Sequence, residues 1–278
     1  MIKIFVLLEN TAISSAFKAV HGLSIGIEVG ETHLLLDVGP NNYYAYNAQK
    51  MGFDISQVST LVLSHSHYDH VGGLSHFVKH NSSASILLQD SPFNSYYSKT
   101  KYPSVSFLSV PIGLTCSKKV KSRISSFSHS YKISDNAWCI PVVCNTYPKP
   151  ELNKTLYKKE MGRLVLDDFA HESILVIEDD GELVVFNSCS HNGVINSIES
   201  VKEFFPDKKI RSYIGGFHYH SSKSDESTEK MDEFCQYIQD SGITLYTGHC
   251  TGTQNISYLQ SKLGKQIQSI STGQEWFL

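Results

Sequence analysis

A chain of 278 residues with 41% hydrophobic side chains is long enough for one large α/β domain with a sizeable core. Its net charge of −3 argues against a general nucleic-acid-binding surface. The six cysteines, at positions 116, 139, 144, 189, 235 and 250, form no CxxC pair and predict reduced thiols in a cytoplasmic protein. No apolar run in the sequence has the length that a membrane span requires.

The N-terminal part of the chain predicts a sheet with a flanking helix. Apolar stretches predict strands at 2–8, 25–29 and 32–36 and a helix over 41–52. The third strand ends at Asp37, shortly before a Gly-Pro turn. An aspartate at this position is compatible with turn capping or with a role in a site, and the local pattern leaves both alternatives open.

The most informative stretch is the hexapeptide His-Ser-His-Tyr-Asp-His at 65–70, which lies between an apolar strand and a Gly-Gly pair. Three imidazoles and one carboxylate this close together are costly to bury unless a cation binds them. Neutral imidazole suits zinc, iron or manganese, and a carboxylate is a frequent partner where one coordination position stays open for water. The hexapeptide therefore predicts a metal site rather than a histidine-rich surface turn.

The spacing within the hexapeptide allows one loop to serve two ions. A strand that ends just before it delivers His65 and His67 to one side of the following turn. Asp69 and His70 fall on the other side, where a second ion fits. The sequence therefore predicts a dinuclear site.

This stretch resembles the metal-binding signature of the metallo-β-lactamase superfamily. The resemblance covers nearly the whole chain and implies a single domain over 1–278. The implied fold class is α/β, an αββα sandwich with metal ions at the sheet edges. The resemblance also implies that Asp37 supports the histidine loop from behind the ligands.

Two segments differ in character from the predicted sheets. Residues 91–134 contain seven Lys and Arg side chains, many aromatic residues and no acidic residue. They predict a basic loop insertion, either a lid that favours an anionic substrate or an edge hairpin whose lysines keep it solvated. Residues 145–163, with two prolines and mixed charge, predict an exposed loop.

A clear hairpin pattern follows, with strands at 173–177 and 183–187 around an acidic turn that contains glycine. Members of the superfamily usually place a third histidine ligand before such a hairpin and a bridging aspartate after it. The resemblance therefore implies His171 as a ligand, whereas Cys189 stands where the aspartate is expected. Either the Cys189 thiolate binds, which favours zinc, or Cys189 is a buried small residue and His191 is the ligand.

The C-terminal part alternates between helices, predicted over 195–205 and 226–241, and strands, predicted over 210–214 and 243–246. Ligand-binding residues belong at the carboxyl ends of such strands. His218 follows the first strand after a Gly-Gly pair and is a candidate general acid or anion contact. His249, after the second strand, takes the place of the last histidine ligand of the superfamily.

A narrower branch of the superfamily is similar to this chain in four short motifs, at 21–24, 189–193, 215–218 and 248–252. The branch is named for 7,8-dihydropterin-6-yl-methyl-4-(β-D-ribofuranosyl)aminobenzene 5′-phosphate synthase. In that reaction an aryl amine displaces pyrophosphate from a pterin methylene with metal assistance. The resemblance makes such a condensation the alternative to hydrolysis.

The residues and the resemblance together predict a metal-dependent hydrolase that acts on an anionic ester or phosphoester. The prediction includes two divalent ions, with zinc favoured and manganese, iron or magnesium as alternatives. In such sites divalent ions lower the pKa of a bound water toward neutrality. The predicted ligands are His65, His67 and His171 for one ion and Asp69, His70 and His249 for the other, with Cys189 or His191 completing the bridge. Asp69 is also a candidate proton acceptor.

The predicted partner is a small anionic molecule, without nucleic acid or membrane, and a homo-oligomer is compatible with the sequence. The alternatives to the hydrolase are the pterin–aryl amine synthase, which releases pyrophosphate, and a non-catalytic sensor that binds a metabolite in a retained metal pocket. Turnover distinguishes the enzymes from the sensor, and pyrophosphate release distinguishes the synthase.

Overall fold

The computed structural model describes residues 1–89, 95–101, 104–108, 118–219 and 227–278, and the structural statements below refer to these residues. Their contacts divide the chain into two compact units. Unit 1 contains Met1–His129, Thr155–Ser173 and Ser271–Leu278, and unit 2 contains Ser130–Lys154 and Ile174–Ile270. The single domain over 1–278 stays a prediction.

Unit 1 contains two sheets and short helices, and its predicted early strands and helix are present. The strands of its larger sheet are β1 Ile2–Leu8, β2 Ser24–Val29, β3 Thr32–Leu36, β4 Thr60–Leu63, β5 Ser85–Gln89, β8 Ile124–Phe127 and β18 Glu275–Phe277. The helices are α1 Tyr43–Met51, α2 Tyr68–Val71, α3 Leu74–His80 and α4 Lys118–Lys121. The strand order is β18-β1-β2-β3-β4-β5-β8, and the pairs from β3 to β8 are parallel.

The core of unit 1 explains why these stretches form strands and helices. All four residues of β4 are buried, as expected for a strand covered on both faces. Phe5, Leu61 and Phe77 belong to one cluster of buried side chains. The helix α1 ends at Gly52, whose φ of 76° places it in the left-handed region that glycine adopts without a Cβ penalty.

The smaller sheet of unit 1 has the strand order β12-β11-β6-β7. Its strands are β6 Tyr96–Lys101, β7 Ser104–Phe107, β11 Leu156–Glu160 and β12 Arg163–Leu166. β6 and β7 form a hairpin at the edge of this sheet, as one of the two alternatives for 91–134 has it, whereas β11 corrects the predicted exposed loop at 145–163. The hairpins β6–β7 and β11–β12 are short, and they pair with each other although they lie far apart in the sequence. Alternation of apolar and polar residues alone therefore did not locate these strands.

Unit 2 contains one sheet with the strand order β17-β16-β15-β14-β13-β10-β9. Its strands are β9 Tyr131–Ser134, β10 Ala137–Pro141, β13 Ser173–Asp179, β14 Glu182–Phe186, β15 Lys209–Ile214, β16 Thr244–Thr247 and β17 Ile267–Ser269. Its helices are α5 Val194–Phe204, α6 Thr228–Ser241 and α7 Thr253–Leu263. The strands β13 and β14 form the predicted hairpin, and β14 to β17 are parallel.

Local sequence signals fix the ends of the longest helix in unit 2. The Ser227 hydroxyl caps α6 by accepting a hydrogen bond from the Lys230 backbone N–H, and Gly242 ends it with φ of 69°. The buried face of α6 carries Phe234 and Ile238 into the core of the unit. In the part of the chain that the structure describes, no helix has the length and apolar character needed to cross a bilayer.

One cation of the basic segment has a structural role in unit 1. The Arg123 guanidinium donates hydrogen bonds to the Ala84 carbonyl at 2.8 Å, to the Asn81 carbonyl at 3.0 Å and to the Asn81 side-chain oxygen at 3.3 Å. These bonds connect the turn before β8 to the turn before β5. Arg123 is therefore part of the scaffold.

We expect Arg123→Ala to lower the free energy of unfolding by about 1–3 kcal/mol, because buried carbonyl groups lose charged donors. Urea unfolding measures this change. Lys121→Ala, which removes an exposed cation from the same segment, is the matched control and is expected to stay within about 0.5 kcal/mol of wild type. Equal effects of the two substitutions would contradict the structural role of Arg123.

Candidate metal centre

The hexapeptide at 65–70 spans the turn after β4 and the first three residues of α2, and His67 is the residue that precedes the first turn of α2. The Gly72-Gly73 pair allows this turn to pack closely on a neighbouring loop. A Cβ atom at Gly72 would collide with the Pro40 carbonyl, and one at Gly73 with the Val38 carbonyl. Because glycine has no Cβ atom, this turn can approach the neighbouring loop closely, and the close packing positions the histidine loop.

Asp37 lies beneath the histidine loop and is fully buried. Its carboxylate accepts a hydrogen bond from the Ser64 backbone N–H at 2.8 Å, from the Ser64 hydroxyl at 2.7 Å and from His70 Nδ1 at 2.7 Å. Its φ of 58° is unusual for a residue with a side chain. The structure thus places Asp37 where it orients the end of β4 and the His70 ring.

The same network fixes the tautomer of His65. Because the Ser64 hydroxyl donates its proton to Asp37, it accepts from His65 Nδ1, which lies 2.8 Å away. The Nε2 lone pair of His65 is then available to a metal ion, as in histidine ligands oriented by a hydrogen bond at the other nitrogen. Burial lowers the pKa of His65 well below its ordinary value, so the ring is neutral.

His67 is a second neutral imidazole beside His65. The centroids of the two rings are 4.7 Å apart, and burial, followed by the neighbouring His171, lowers the pKa of His67 to about 4. The His70 ring lies 4.2 Å from His65. A group of neutral, buried imidazoles matches the ligand form that zinc and similar ions require.

His70 differs because two carboxylates face it. Burial alone would lower its pKa, but the charges of Asp69 and Asp37 outweigh burial and raise it to about 10. Asp69 Oδ2 lies 3.3 Å from His70 Nε2 and 3.3 Å from Nε2 of His21. Without metal, a proton on His70 balances this negative charge, and a divalent cation bound there has the right sign to replace it. The residues present in unit 1 therefore fit a metal ion.

Both ring nitrogens of His171 are engaged in hydrogen bonds within unit 1. Nδ1 accepts from the Ser66 backbone N–H at 3.2 Å, so the proton is on Nε2, which donates to Asp167 Oδ2 at 3.1 Å. Burial alone would raise the pKa of Asp167. The hydrogen bond from His171 is the largest of the opposing contributions, which together lower the pKa of Asp167 below its ordinary value. These bonds favour a supporting role for His171, holding the loop through Ser66, over the ligand role implied by the resemblance.

In unit 2, the candidate residues follow three adjacent parallel strands. Cys189 follows β14, His218 follows β15 and His249 follows β16. The carboxyl ends of parallel strands meet at one edge of a sheet, which is where α/β proteins bind ligands. The Cys189 sulfur lies within 4.8 Å of a ligand atom of each of His191, His218, His249 and Cys250.

The backbone at this edge is strained. Ser190, His218 and His249 have φ values of 54°, 56° and 50°. Left-handed backbone at residues with a side chain costs about 1–3 kcal/mol per residue and occurs most often at functional sites. The Ser190 hydroxyl stabilises its own conformation through 2.7 Å contacts with the Gly216 carbonyl and the Tyr213 hydroxyl.

His191 is oriented by a residue that the sequence did not reveal. Its Nδ1 lies 3.3 Å from the Asn153 side-chain oxygen, and the Asn153 amide donates to the His191 carbonyl at 2.6 Å. The Asn153 oxygen is an acceptor, so Nδ1 of His191 carries the proton and Nε2 has the lone pair. Asn153 comes from the segment that was predicted to be an exposed loop, yet it is buried.

The structure therefore brings the predicted site residues together in two groups, one in each unit. The group of unit 1 contains Asp37, His65, His67, Asp69, His70 and His171. The group of unit 2 contains Cys189, His191, His218 and His249. Sequence reasoning missed Asp167, Asn153 and Cys250. Cys250 follows His249 directly and Asp167 lies four residues before His171 in the sequence, but Asn153 carried no signal.

Comparisons with known proteins agree with this fold. Residues 19–98 match the family model described as the metallo-beta-lactamase superfamily. A 7,8-dihydropterin-6-methyl-4-(beta-D-ribofuranosyl)-aminobenzene-5'-phosphate synthase from Methanocaldococcus jannaschii is 27% identical, over 98% of this chain and 95% of the relative.

Two solved structures have the same fold. Tm1679, described as a metal-dependent hydrolase of the beta-lactamase superfamily, matches with a TM-score of 0.82 and 22% identity, covering 100% of this chain and 99% of its own. The metallo-beta-lactamase fold protein YhfI from Bacillus subtilis matches with a TM-score of 0.57 and 13% identity, covering 100% of both chains.

The chain has the metallo-β-lactamase fold, and its signature loop and the matched residues 19–98 resemble a superfamily whose members are mostly enzymes. Within it, the predicted similarity to the branch named for the dihydropterin-type synthase is confirmed by the relative from Methanocaldococcus jannaschii. The fold-class prediction is confirmed as well.

We expect His171→Ala and Asp167→Ala each to weaken metal binding by about 10–100-fold, the usual cost of losing a group that orients ligands. The double variant should lose no more than His171→Ala alone, because both side chains act through Ser66. Competition titration against a chelator measures these affinities, and His80→Ala, an exposed histidine of unit 1, is the control. Complete loss of one ion in His171→Ala, with Asp167→Ala unaffected, would instead show that His171 is a ligand.

Proposed function

We propose that the protein is a metal-dependent hydrolase that cleaves an ester or phosphoester bond in a small anionic molecule. The observation that carries the proposal is the group of buried neutral imidazoles, His65 and His67, beside the carboxylates of Asp69 and Asp37. Such a combination of uncharged nitrogen donors and acidic groups is typical of sites that bind a metal ion and activate water.

Divalent metal ions supply a nucleophilic water at neutral pH when they are bound in such a site. In unit 1 we assign their binding to His65 Nε2, His67, Asp69 and His70. In unit 2 we assign it to His249 together with Cys189 or His191. Two ions with zinc favoured, as predicted from the sequence, remain part of this proposal.

Asp69 is the residue to which we assign proton transfer. It is partly exposed, with 14% of its side chain accessible, whereas the carboxylate of Asp37 is fully buried. A proton acceptor must reach the reacting molecule, so exposure favours Asp69 over Asp37. His70 and His21 hold the Asp69 carboxylate from two directions, which fixes its orientation.

A synthase is the second candidate. The relative named as a dihydropterin-type phosphate synthase aligns over almost the full length of both chains, which favours a related condensation with release of pyrophosphate. The name of that relative also supports a phosphorylated small molecule as the substrate class. Both reactions place negative charge near the metal site, where bound cations and imidazoles stabilise it.

We expect the purified protein to carry close to two transition-metal ions per chain, and His67→Ala to lower this content and abolish turnover. Elemental analysis measures the metal, and a panel of carboxylic esters, phosphomonoesters and phosphodiesters measures hydrolysis. His129→Ala, an exposed histidine of the same unit, is the control and should retain both. Metal-free protein with full activity would contradict the proposal.

The same panel separates the candidates. Pyrophosphate release from a pterin diphosphate and an aryl amine, without hydrolysis of any ester, would replace the hydrolase with the synthase. Metal-loaded protein that turns over neither set would leave the metabolite sensor. Circular dichroism of His67→Ala must match wild type before its inactivity is assigned to the site.

An anionic substrate is expected to depend on the basic segment. Arg123 is excluded from this role by its carbonyl partners, Lys132 pairs with Asp135 at 2.9 Å, and Lys99 lies 4.1 Å from the centre of the Tyr157 ring. The remaining cation whose side chain the structure describes is the exposed Lys121; the side chains of Lys101, Lys118 and Lys119 lie outside the described residues.

We expect replacement of Lys118, Lys119 and Lys121 together by Gln to raise KM more than it lowers kcat and to flatten the dependence of KM on salt. Remote charges contribute binding that ground state and transition state share, and salt screens them. Steady-state kinetics between low and high salt measures both effects, with Lys132→Gln as the control. Unchanged KM and salt response in the triple variant would show that these lysines only solvate the surface.

A further inference from the structure

Two cysteines and a histidine meet at the strand ends of unit 2. A sulfur of Cys189, a sulfur of Cys250 and a ring nitrogen of His218 all lie within 4.8 Å of one another, and all three residues are buried. Both cysteines are free thiols. Three ligand atoms of a tetrahedral zinc ion are about 3.8 Å apart, so a shift of about 1 Å at most brings this group into coordination.

The backbone is built to admit the second sulfur. A Cβ atom at Gly216 would lie only 2.5 Å from the Cys250 sulfur, so a larger residue at Gly216 would push that thiol out of the cluster. Cys250 sits in the short 3-10 turn His249–Thr251, whose first residue has a φ of 50°. His218 also has a left-handed backbone, with φ of 56°. Left-handed backbone at His218 and at His249, the residue before Cys250, is typical of a functional site rather than of core packing.

The donor set decides which ions fit. Two sulfurs and one imidazole select zinc, copper(I) or cobalt(II), because soft thiolates bind these ions well and bind magnesium, calcium and manganese poorly. The His191 ring, whose centroid is 4.1 Å from that of His218, is the candidate fourth donor.

We propose that Cys189, His218 and Cys250 form a sulfur-containing site for a thiophilic transition-metal ion, with Cys250 as a ligand. His218 then acts through the metal instead of contacting the substrate. The inference rests on the proposed function in assigning a metal ion to the strand ends of unit 2, and it adds His218 and Cys250 to the donors assigned there. It goes further by naming two thiolates as ligands and by excluding magnesium and manganese from this position.

The test uses the full chain, stripped of metal under reducing conditions and titrated with Co²⁺. Thiolate coordination to Co²⁺ produces near-ultraviolet charge-transfer absorption. We expect this band to fall by about half in Cys189→Ser and in Cys250→Ser and to vanish in the double variant, because each thiolate contributes separately. Cys144→Ser, a free thiol of unit 2 outside the cluster, should leave the band unchanged.

His218→Asn provides an independent variant, since Asn tolerates left-handed backbone and removes the ring. It should keep the sulfur band while Co²⁺ affinity falls at least about ten-fold. If Cys250→Ser does not fold, alkylation of wild type replaces it. Bound Co²⁺ should then protect Cys189 and Cys250, but not Cys144, from iodoacetamide, as mapped by peptide mass spectrometry.

A Co²⁺ spectrum without sulfur charge transfer, or a band that is insensitive to Cys250→Ser, would overturn the proposal. Equal alkylation of all three thiols with and without Co²⁺ would also overturn it. A Cys189–Cys250 disulfide that forms in air would do the same if Co²⁺ does not protect the reduced thiols from alkylation. These results are distinct from failure of the proposed function. Sulfur coordination without turnover would contradict the hydrolase alone, and turnover with only nitrogen and oxygen ligands would contradict this inference alone.

Discussion

The buried carboxylate of Asp37 is the constraint on which the chemistry of unit 1 depends. Burying an ionised group costs several kcal/mol unless hydrogen bonds and opposite charge compensate it. Here the Ser64 backbone, the Ser64 hydroxyl and His70 supply three donors within 2.8 Å. Satisfying one charge therefore fixes the end of β4, the tautomer of His65 and the position of His70 at the same time.

Support for the histidine loop continues on its other side. Asp167 holds His171, and His171 holds the Ser66 backbone, so the loop is anchored through a main-chain group. The ring of Tyr96 lies against His171 with its centroid 4.1 Å away. The Asp167 carboxylate, the His171 imidazole and the Ser66 backbone thus form a chain of hydrogen bonds that positions the candidate ligands His65 and His67.

Unit 2 positions its candidate ligands by different means. Instead of a buried charge it uses strained residues and close backbone packing at the ends of three parallel strands. A Cβ atom at Gly215 would collide with the Asn187 carbonyl. The Ser190 hydroxyl donates a hydrogen bond to the Gly216 carbonyl. The relatives show that one fold serves reactions named as hydrolysis and as synthesis. The fold alone therefore does not decide the reaction.

The sequence by itself determined the early strands, the central hairpin, the α/β alternation and the histidine-rich hexapeptide, because each of these features consists of residues that are neighbours along the chain. The tertiary structure alone decided that His171 is held by Asp167 and Ser66 and that Asn153 orients His191. It also decided that Cys250 approaches Cys189. These contacts join segments that local patterns describe separately, and hydrogen-bond partners and sulfur distances depend on which strands pair.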